Sequence, residues 1–346
     1  MEKFKSDAIK VSSEIEYRPV YKLLENYFGN VPLDQIDQDM VDDYKELLMV
    51  LPYKLNQNLK KDEIDTLIDE GEYKELAPKT KNQYFDRSKQ FFDWCNNRRP
   101  NPEILLGVIN ISEDEVERDK KGKLPFEEKH LLKIFNPEIY LRESSEFSAY
   151  YWVPLIILHT GARIAEICQL QLKDVKLVEG IWVFDLNRET ADKRHKKTGK
   201  IGFNRILPVH QNLHDLGFIE YFEQLKKVKD RIRVFEELEL NKKNKYTTQI
   251  SKWFNREYLK EIGVRTPENI ANSREKLTFH SFRHTLRTML IPHAEERFID
   301  KYLGHSQGSK TKQAYTHEMV KDMNEVLLPK IQFPFLDFVK LEKDWK

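Results

Sequence analysis

Over most of the first 112 residues, apolar positions recur at three- and four-residue intervals, the spacing of helices that bury one face. Val20–Phe28 is one such stretch and ends at Gly29. Asp39–Leu51 is another, with Met40, Tyr44, Leu47, Leu48 and Leu51 on one face and Pro52 as its stop. Residues 56–75 are polar and acid-rich, which predicts loop and a short helix. Pro78-Lys79-Thr80 opens a third helix whose buried stripe is Tyr84, Ser88, Phe91, Phe92 and Cys95. Lys81, Arg87, Lys89, Arg98 and Arg99 fall mostly off that stripe and, with Lys79, stand open to phosphates.

Residues 113–122 are charged, lack apolar periodicity and end in Gly122, the pattern of a linker. Beyond it, Pro125-Phe126-Glu127-Glu128 signals a helix start with proline at the first helical position. A second start near Ser144 leads into the apolar run Tyr150–Leu158. The pattern then changes, because Gly180–Leu186 (GIWVFDL) and Arg205–Val209 (RILPV) read as two strands of a hairpin. From Leu213 onward the chain reads mainly helical, apart from a polar loop around Thr266–Glu275. The expected fold is mainly α with a small antiparallel β-sheet. Its parts are a helical domain over 1–112, a linker over 113–122, an α+β domain over 123–322 and a tail over 323–346.

At 346 residues the chain is long enough for two cores, with 40% hydrophobic and 33% charged residues. No apolar run approaches the roughly 18 residues a membrane helix needs. The N-terminus has no apolar signal segment, so the reading is cytoplasmic. Cys95 and Cys168 are far apart in apolar helical contexts and imply neither a disulfide framework nor a metal cluster. A net charge of +1 does not advertise a nucleic-acid partner. Clustering changes that picture, since KRHKKTGKIGFNR from Lys193 to Arg205 holds six basic residues and no acid. Lys193, Arg194 and Lys196 belong to this run, which falls at the tip of the expected hairpin.

The candidate chemistry lies in two places. In HTGARIAEI, Gly161 permits a tight entry to a helix, Arg163 falls in its first turn, and Glu166 is three residues on. Leu277–His317 carries His280-x-x-Arg283, an amphipathic helix, Leu303-Gly304-His305, and then a lone Tyr315. Cations, histidines and a phenol in one segment point to chemistry on an anion.

Taken in order, Arg163 after Thr-Gly, a lysine-bearing hairpin, His280-x-x-Arg283, Leu303-Gly304-His305 and Tyr315 ten residues later resemble the tyrosine recombinase (phage integrase) family. The resemblance covers about 121–317. It extends more weakly to PKTKNQYFDRSKQFFDW, which is similar to the last long helix of the family's core-binding domain. It implies a helical core-binding domain plus an α+β catalytic domain. The implied reaction is site-specific cutting and rejoining of duplex DNA, without metal or nucleotide cofactor, through a 3′-phosphotyrosine. Tyr315 would be the nucleophile, with Arg163, Arg283 and His305 on the phosphate and His280 as phosphate ligand or proton acceptor. A hairpin lysine would protonate the leaving 5′-oxygen. The Lys-Thr pattern favours Lys197, whereas the distance to Arg205 suits Lys200 better, and Lys196 is the third choice. Glu166 would orient groups without reacting.

The implied partners are duplex DNA with specific sites, three further copies of the chain in a DNA-assembled tetramer, and accessory DNA-bending or directionality proteins, in the setting of a mobile element. The apolar tail (Val326, Leu327, Leu328, Ile331, Phe333, Phe335, Leu336) either folds onto its own domain or, as the resemblance favours, docks on a neighbouring protomer. A type IB topoisomerase and a non-catalytic DNA-binding relative are the alternatives. The core-binding pattern speaks against the first and the complete residue set against the second.

Overall fold

A computed structural model describes residues 14–98, apart from 33, 54, 56, 57 and 72, together with 124–187, 204–241, 246–266, 277–304 and 317–343. The chain separates into two compact units, Met1–Lys120 and Lys121–Lys346. The expected linker lies outside the described residues.

The first unit is helical. Its elements are α1 (Glu14–Phe28), α2 (Gln38–Val50), α3 (Lys61–Asp69) and α4 (Pro78–Asn96). Asp37 caps α2 by accepting a 2.9 Å bond from the Met40 amide, satisfying a donor that helix geometry leaves open. Pro78 stands in the first turn of α4, where its missing N–H costs nothing. Val20, Leu24, Tyr44, Leu48 and Phe92 close the core. The Tyr44 hydroxyl is buried with them and is paired with Ser88 Oγ at 3.0 Å. The inward stripe of α4 is Lys81, Phe85, Ser88, Phe91, Phe92 and Cys95, so Phe85 replaces the expected Tyr84.

The second unit is built around one buried helix, Ser148–Thr160. The elements begin with α5 (Glu128–Ile134), α6 (Pro137–Glu143), α7 (Ser148–Thr160) and α8 (Ile164–Cys168). The helix expected at Pro125 starts at Glu128 instead, because the Phe126 backbone is held by Thr285 Oγ1, accepting at 2.7 Å and donating at 3.0 Å. Every side chain of α7 from Ala149 to Thr160 is buried. A helix apolar all round can only be a core element.

A sheet of β1 (Val175–Val178), β2 (Ile181–Leu186) and β3 (Arg205–Pro208) follows in sequential antiparallel order. Its registers run from Val178↔Ile181 to Val175↔Phe184 and from Val183↔Pro208 to Leu186↔Arg205. The β1–β2 turn is Glu179-Gly180, both at positive φ, the pairing that matches strand twist in a two-residue hairpin.

Beyond the sheet come α9 (Gln211–Asp215), α10 (Phe218–Lys226) and α11 (Thr248–Lys252), which runs on through a π segment, Trp253–Tyr258. Then come α12 (Phe279–Leu290), α13 (Glu296–Leu303) and α14 (His317–Asp322). The single helix expected before the Leu-Gly-His turn is thus two helices. α12 packs along α7, and α13 approaches β3.

The described tail is seated on its own domain in this single chain. Ile331, Phe333 and Leu341 are buried in the same core as α7. The Tyr151 hydroxyl donates to the Leu341 carbonyl at 2.6 Å, and His210 Nε2 bonds the Ile331 carbonyl at 2.9 Å. Among the described residues no helix is long and apolar enough to cross a membrane.

Candidate active site

Two helix ends make the site. α7 terminates at Gly161, whose φ of 59° is the left-handed cap that lets the chain turn sharply. Space as well as conformation demands glycine, since a Cβ there would stand 2.5 Å from Leu303 Cδ2 and 3.1 Å from Leu286 Cδ2. α13 terminates in the same way at Gly304, at φ 73°. The carbonyls of these two glycines hold the two arginines of the motif. Arg283 Nη1 donates to the Gly161 carbonyl at 2.8 Å, and Arg163 Nη2 donates to the Gly304 carbonyl at 3.1 Å. Residues 122 and 141 positions apart in the chain are thereby fixed around one locus.

Arg163 lies one step earlier than expected. It is the residue before α8, in extended conformation, and its own N–H donates to Glu166 Oε2 at 2.8 Å. Glu166 is the buried hub. Oε1 also accepts from Arg163 Nη1 at 3.3 Å, while Arg205 Nη1 and Nη2 reach Oε1 and Oε2 at 3.0 and 2.7 Å. Burial would raise the Glu166 carboxyl, but Arg205 and then Arg163 outweigh it and hold the group down at about 2. Burial, followed by repulsion from Arg163 and Arg205, pulls the Arg283 guanidinium down to about 9. It remains charged at neutral pH.

From local context Arg205 is only a spacing marker for the hairpin lysine. Sequence signals for its role do exist. In the period-two pattern of a strand, Arg205 shares a face with Leu207, and both are buried. An inward arginine requires an acid opposite it.

His280 occupies the first turn of α12, partly buried, with its backbone N–H donating to the capping Thr278 Oγ1 at 3.3 Å. Its ring stands 5.0 Å from that of His284. Arg283 is one turn further on and almost fully buried. Three arginines thus gather about one carboxylate, a surplus of positive charge suited to an anion. Among the described residues no group of three or more His, Cys, Asp or Glu is placed to hold a metal ion. His159 is structural, because its Nδ1 meets the Leu155 carbonyl at 2.8 Å and its Nε2 meets Asn212 at 3.1 Å. Burial and the neighbouring His210 hold it down at about 3.

Residues 127–321 match the phage integrase family. The chain belongs to that family. Among relatives of this integrase-family chain, tyrosine recombinase XerA of Pyrococcus horikoshii is 24% identical over 62% of the chain and 66% of its own length. Tyrosine recombinase XerD of Staphylococcus aureus is 30% identical over 47% of the chain and 48% of its own length. The chain therefore spans between about half and two-thirds of these relatives. In structure, a lambda integrase tetramer bound to a Holliday junction is similar with a TM-score of 0.53 at 16% identity, covering 91% of this chain and 77% of that one.

Within this integrase-family fold, Lys197, Lys200, Lys193, Arg194, Lys196, His305 and Tyr315 lie outside the described residues. The structure brings together Arg163, Glu166 and Arg283. On α4 the expected phosphate contacts divide. Lys79 is exposed. Lys89 is exposed but bonds Asp93 at 2.8 Å, one turn along. Arg87 is turned to α1, with its Nη1 at 2.6 Å from the Glu16 carbonyl and its guanidinium over the Tyr17 ring. Lys81 is a correction. It lies on the buried stripe, its stem packed inward and its ammonium bonded to Glu75 and the Met49 carbonyl, so it has no free reach to a phosphate.

Proposed function

We propose that the chain is a site-specific DNA recombinase that cuts and rejoins duplex DNA by transesterification, with Tyr315 as the nucleophile. The observation carrying this reading is the fixation of Arg163 and Arg283 at the two glycine caps, beside a carboxylate that the guanidinium groups outnumber. A phosphodiester under attack gains negative charge on its non-bridging oxygens. Two guanidinium forks held in this way would take up that charge without reorganising at the moment of reaction.

In this reaction the Tyr315 oxygen forms a bond to phosphorus and the bond from phosphorus to the 5′-oxygen breaks. His280 receives the phenolic proton or holds the phosphate. The hairpin lysine, Lys197 or else Lys200 or Lys196, returns a proton to the leaving 5′-oxygen. His305 donates to the same phosphate. The phosphotyrosine conserves the bond energy, so the reverse attack by a 5′-hydroxyl reseals the strand.

Exchange between two duplexes requires four such sites, and the reading includes a tetramer assembled on paired duplexes, supported by the tetrameric lambda integrase. Integration or excision of a mobile element, aided by DNA-bending or directionality proteins, is the setting that fits this chemistry.

The test uses a duplex that the protein itself recovers from a random-sequence pool. Denaturing gels should show a covalent protein–DNA adduct. Tyr315→Phe should abolish it while DNA affinity stays within about threefold, because the hydroxyl contributes to the reaction and not to groove binding. An adduct that survives in Tyr315→Phe refutes the mechanism.

A further inference from the structure

The geometry points to Arg205 as a positioning residue that sets the Arg163 guanidinium through Glu166 and the Gly304 turn through the Tyr302 carbonyl. The role rests on the recombinase reading above and extends it to a residue outside the reacting set.

Arg205 begins β3, paired with Leu186, and its side chain is entirely buried. All three nitrogens of its guanidinium are engaged. Nη1 and Nη2 clamp the two oxygens of Glu166, and Nε donates to the Tyr302 carbonyl at 3.0 Å. One planar group therefore ties α8 to the end of α13. The guanidinium lies against Gly304, where an added Cβ would stand 2.7 Å from Nη1 and 2.9 Å from Cζ. The carbonyl of that same Gly304 receives Arg163 Nη2. The next residue in the chain is His305.

Arg205 also determines how much of Arg163 is free. Glu166 accepts two bonds from Arg205 and two from Arg163, one of the latter through the backbone. Without Arg205, the buried carboxylate would lose its bidentate partner and turn to its remaining arginines, Arg163 foremost. It would then draw in both guanidinium nitrogens, since an unpaired buried charge is costly. Arg163 would be tied to Glu166 instead of to phosphate. With Arg205 in place, Arg163 keeps a partly exposed side chain, 30% accessible, against 1% for Glu166.

Three variants test this on the selected duplex, with the rate of covalent adduct formation measured at saturating protein and DNA affinity measured separately. Arg205→Lys keeps the charge but cannot bond both Glu166 oxygens and the Tyr302 carbonyl in one plane. It is expected to form the adduct at least about tenfold more slowly, with affinity within about threefold and little change in melting temperature. Arg205→Met is expected to lose about 100-fold or more, comparable to removing a fixed donor from the site itself. Adding Glu166→Gln to Arg205→Met removes the charge that captures Arg163 and should restore about tenfold, a rescue that a purely structural lesion would not show.

An Arg205→Lys protein that cleaves within about twofold of the parent overturns the proposal. So does a folded Arg205→Met whose loss is unrelieved by Glu166→Gln. If Arg205→Met does not fold, Arg205→Lys alone decides. A parent protein that forms no adduct would instead refute the recombinase reading, which separates the two failures.

Discussion

Glu166 is the residue on which the described site turns. Its carboxyl is held at about 2, below its ordinary value of 4.5, by Arg205 and Arg163 acting against burial. A carboxylate depressed in the folded state contributes stability that is complete above the ordinary value and is lost as the pH falls toward the depressed one. The window is therefore about pH 4.5 down to 2, and the contribution is on the order of 3 kcal/mol. Urea melts across that range should show the parent losing stability. Glu166→Gln should be flatter there, though weaker at neutral pH by about 3 kcal/mol because it strands the buried Arg205. Equal slopes for the two proteins would remove Glu166 from this role. Lys81 shows the opposite outcome for a charged side chain. Its basic neighbours predict a phosphate contact, and its position on the α4 stripe buries its stem and ties its ammonium to Glu75 at the surface.

At the scale of elements, the two glycine-capped helix ends decide where the arginines sit. Gly161 combines a left-handed backbone with a Cβ position already filled by Leu303 and Leu286. Gly161→Ala should therefore cost more than the strain alone, about 2–4 kcal/mol, and appear as a lower denaturation midpoint with unchanged slope. A loss under about 1 kcal/mol would mean that α12 and α13 yield easily.

The strands around the hairpin were legible because aromatic and β-branched runs end at turns. β1 was missed because Lys176-Leu177 face outward on an edge and dilute the pattern, although Glu179-Gly180 marked the turn. α6 was missed because a short helix beginning at Pro137 has little periodicity to show. The motif residues Arg163, Glu166 and Arg283 were readable from local context. Arg205 was not, because its meaning depends on Glu166, 39 positions away, and strand alternation alone does not name the partner.

The whole molecule divides into two units, and Arg163, Glu166, Arg205, His280 and Arg283 all lie in the second. That unit depends on its own tail. Ile331, Phe333 and Leu341 are each at most 3% exposed, and α7 receives their packing. Deleting residues 331–346 should lower the melting temperature by more than about 10 °C, since several buried side chains are lost together. A deletion variant that melts with the parent would show that the tail only decorates the surface.

The seat of that tail has a further consequence. His210, Tyr151 and the surrounding apolar surface recognise backbone carbonyls and side chains that every copy of the chain carries identically. A tail offered by a neighbouring molecule would make the same contacts as the resident one, so affinity cannot discriminate between self and other. Occupancy becomes a contest of effective concentrations: the tether favours the resident tail in dilute solution, and any scaffold that crowds copies together shifts the balance toward exchange. On the recombinase reading, duplex DNA bearing adjacent binding sites would be such a scaffold, and an identical seat would need no new surface to turn a self-contained fold into a linked chain of protomers.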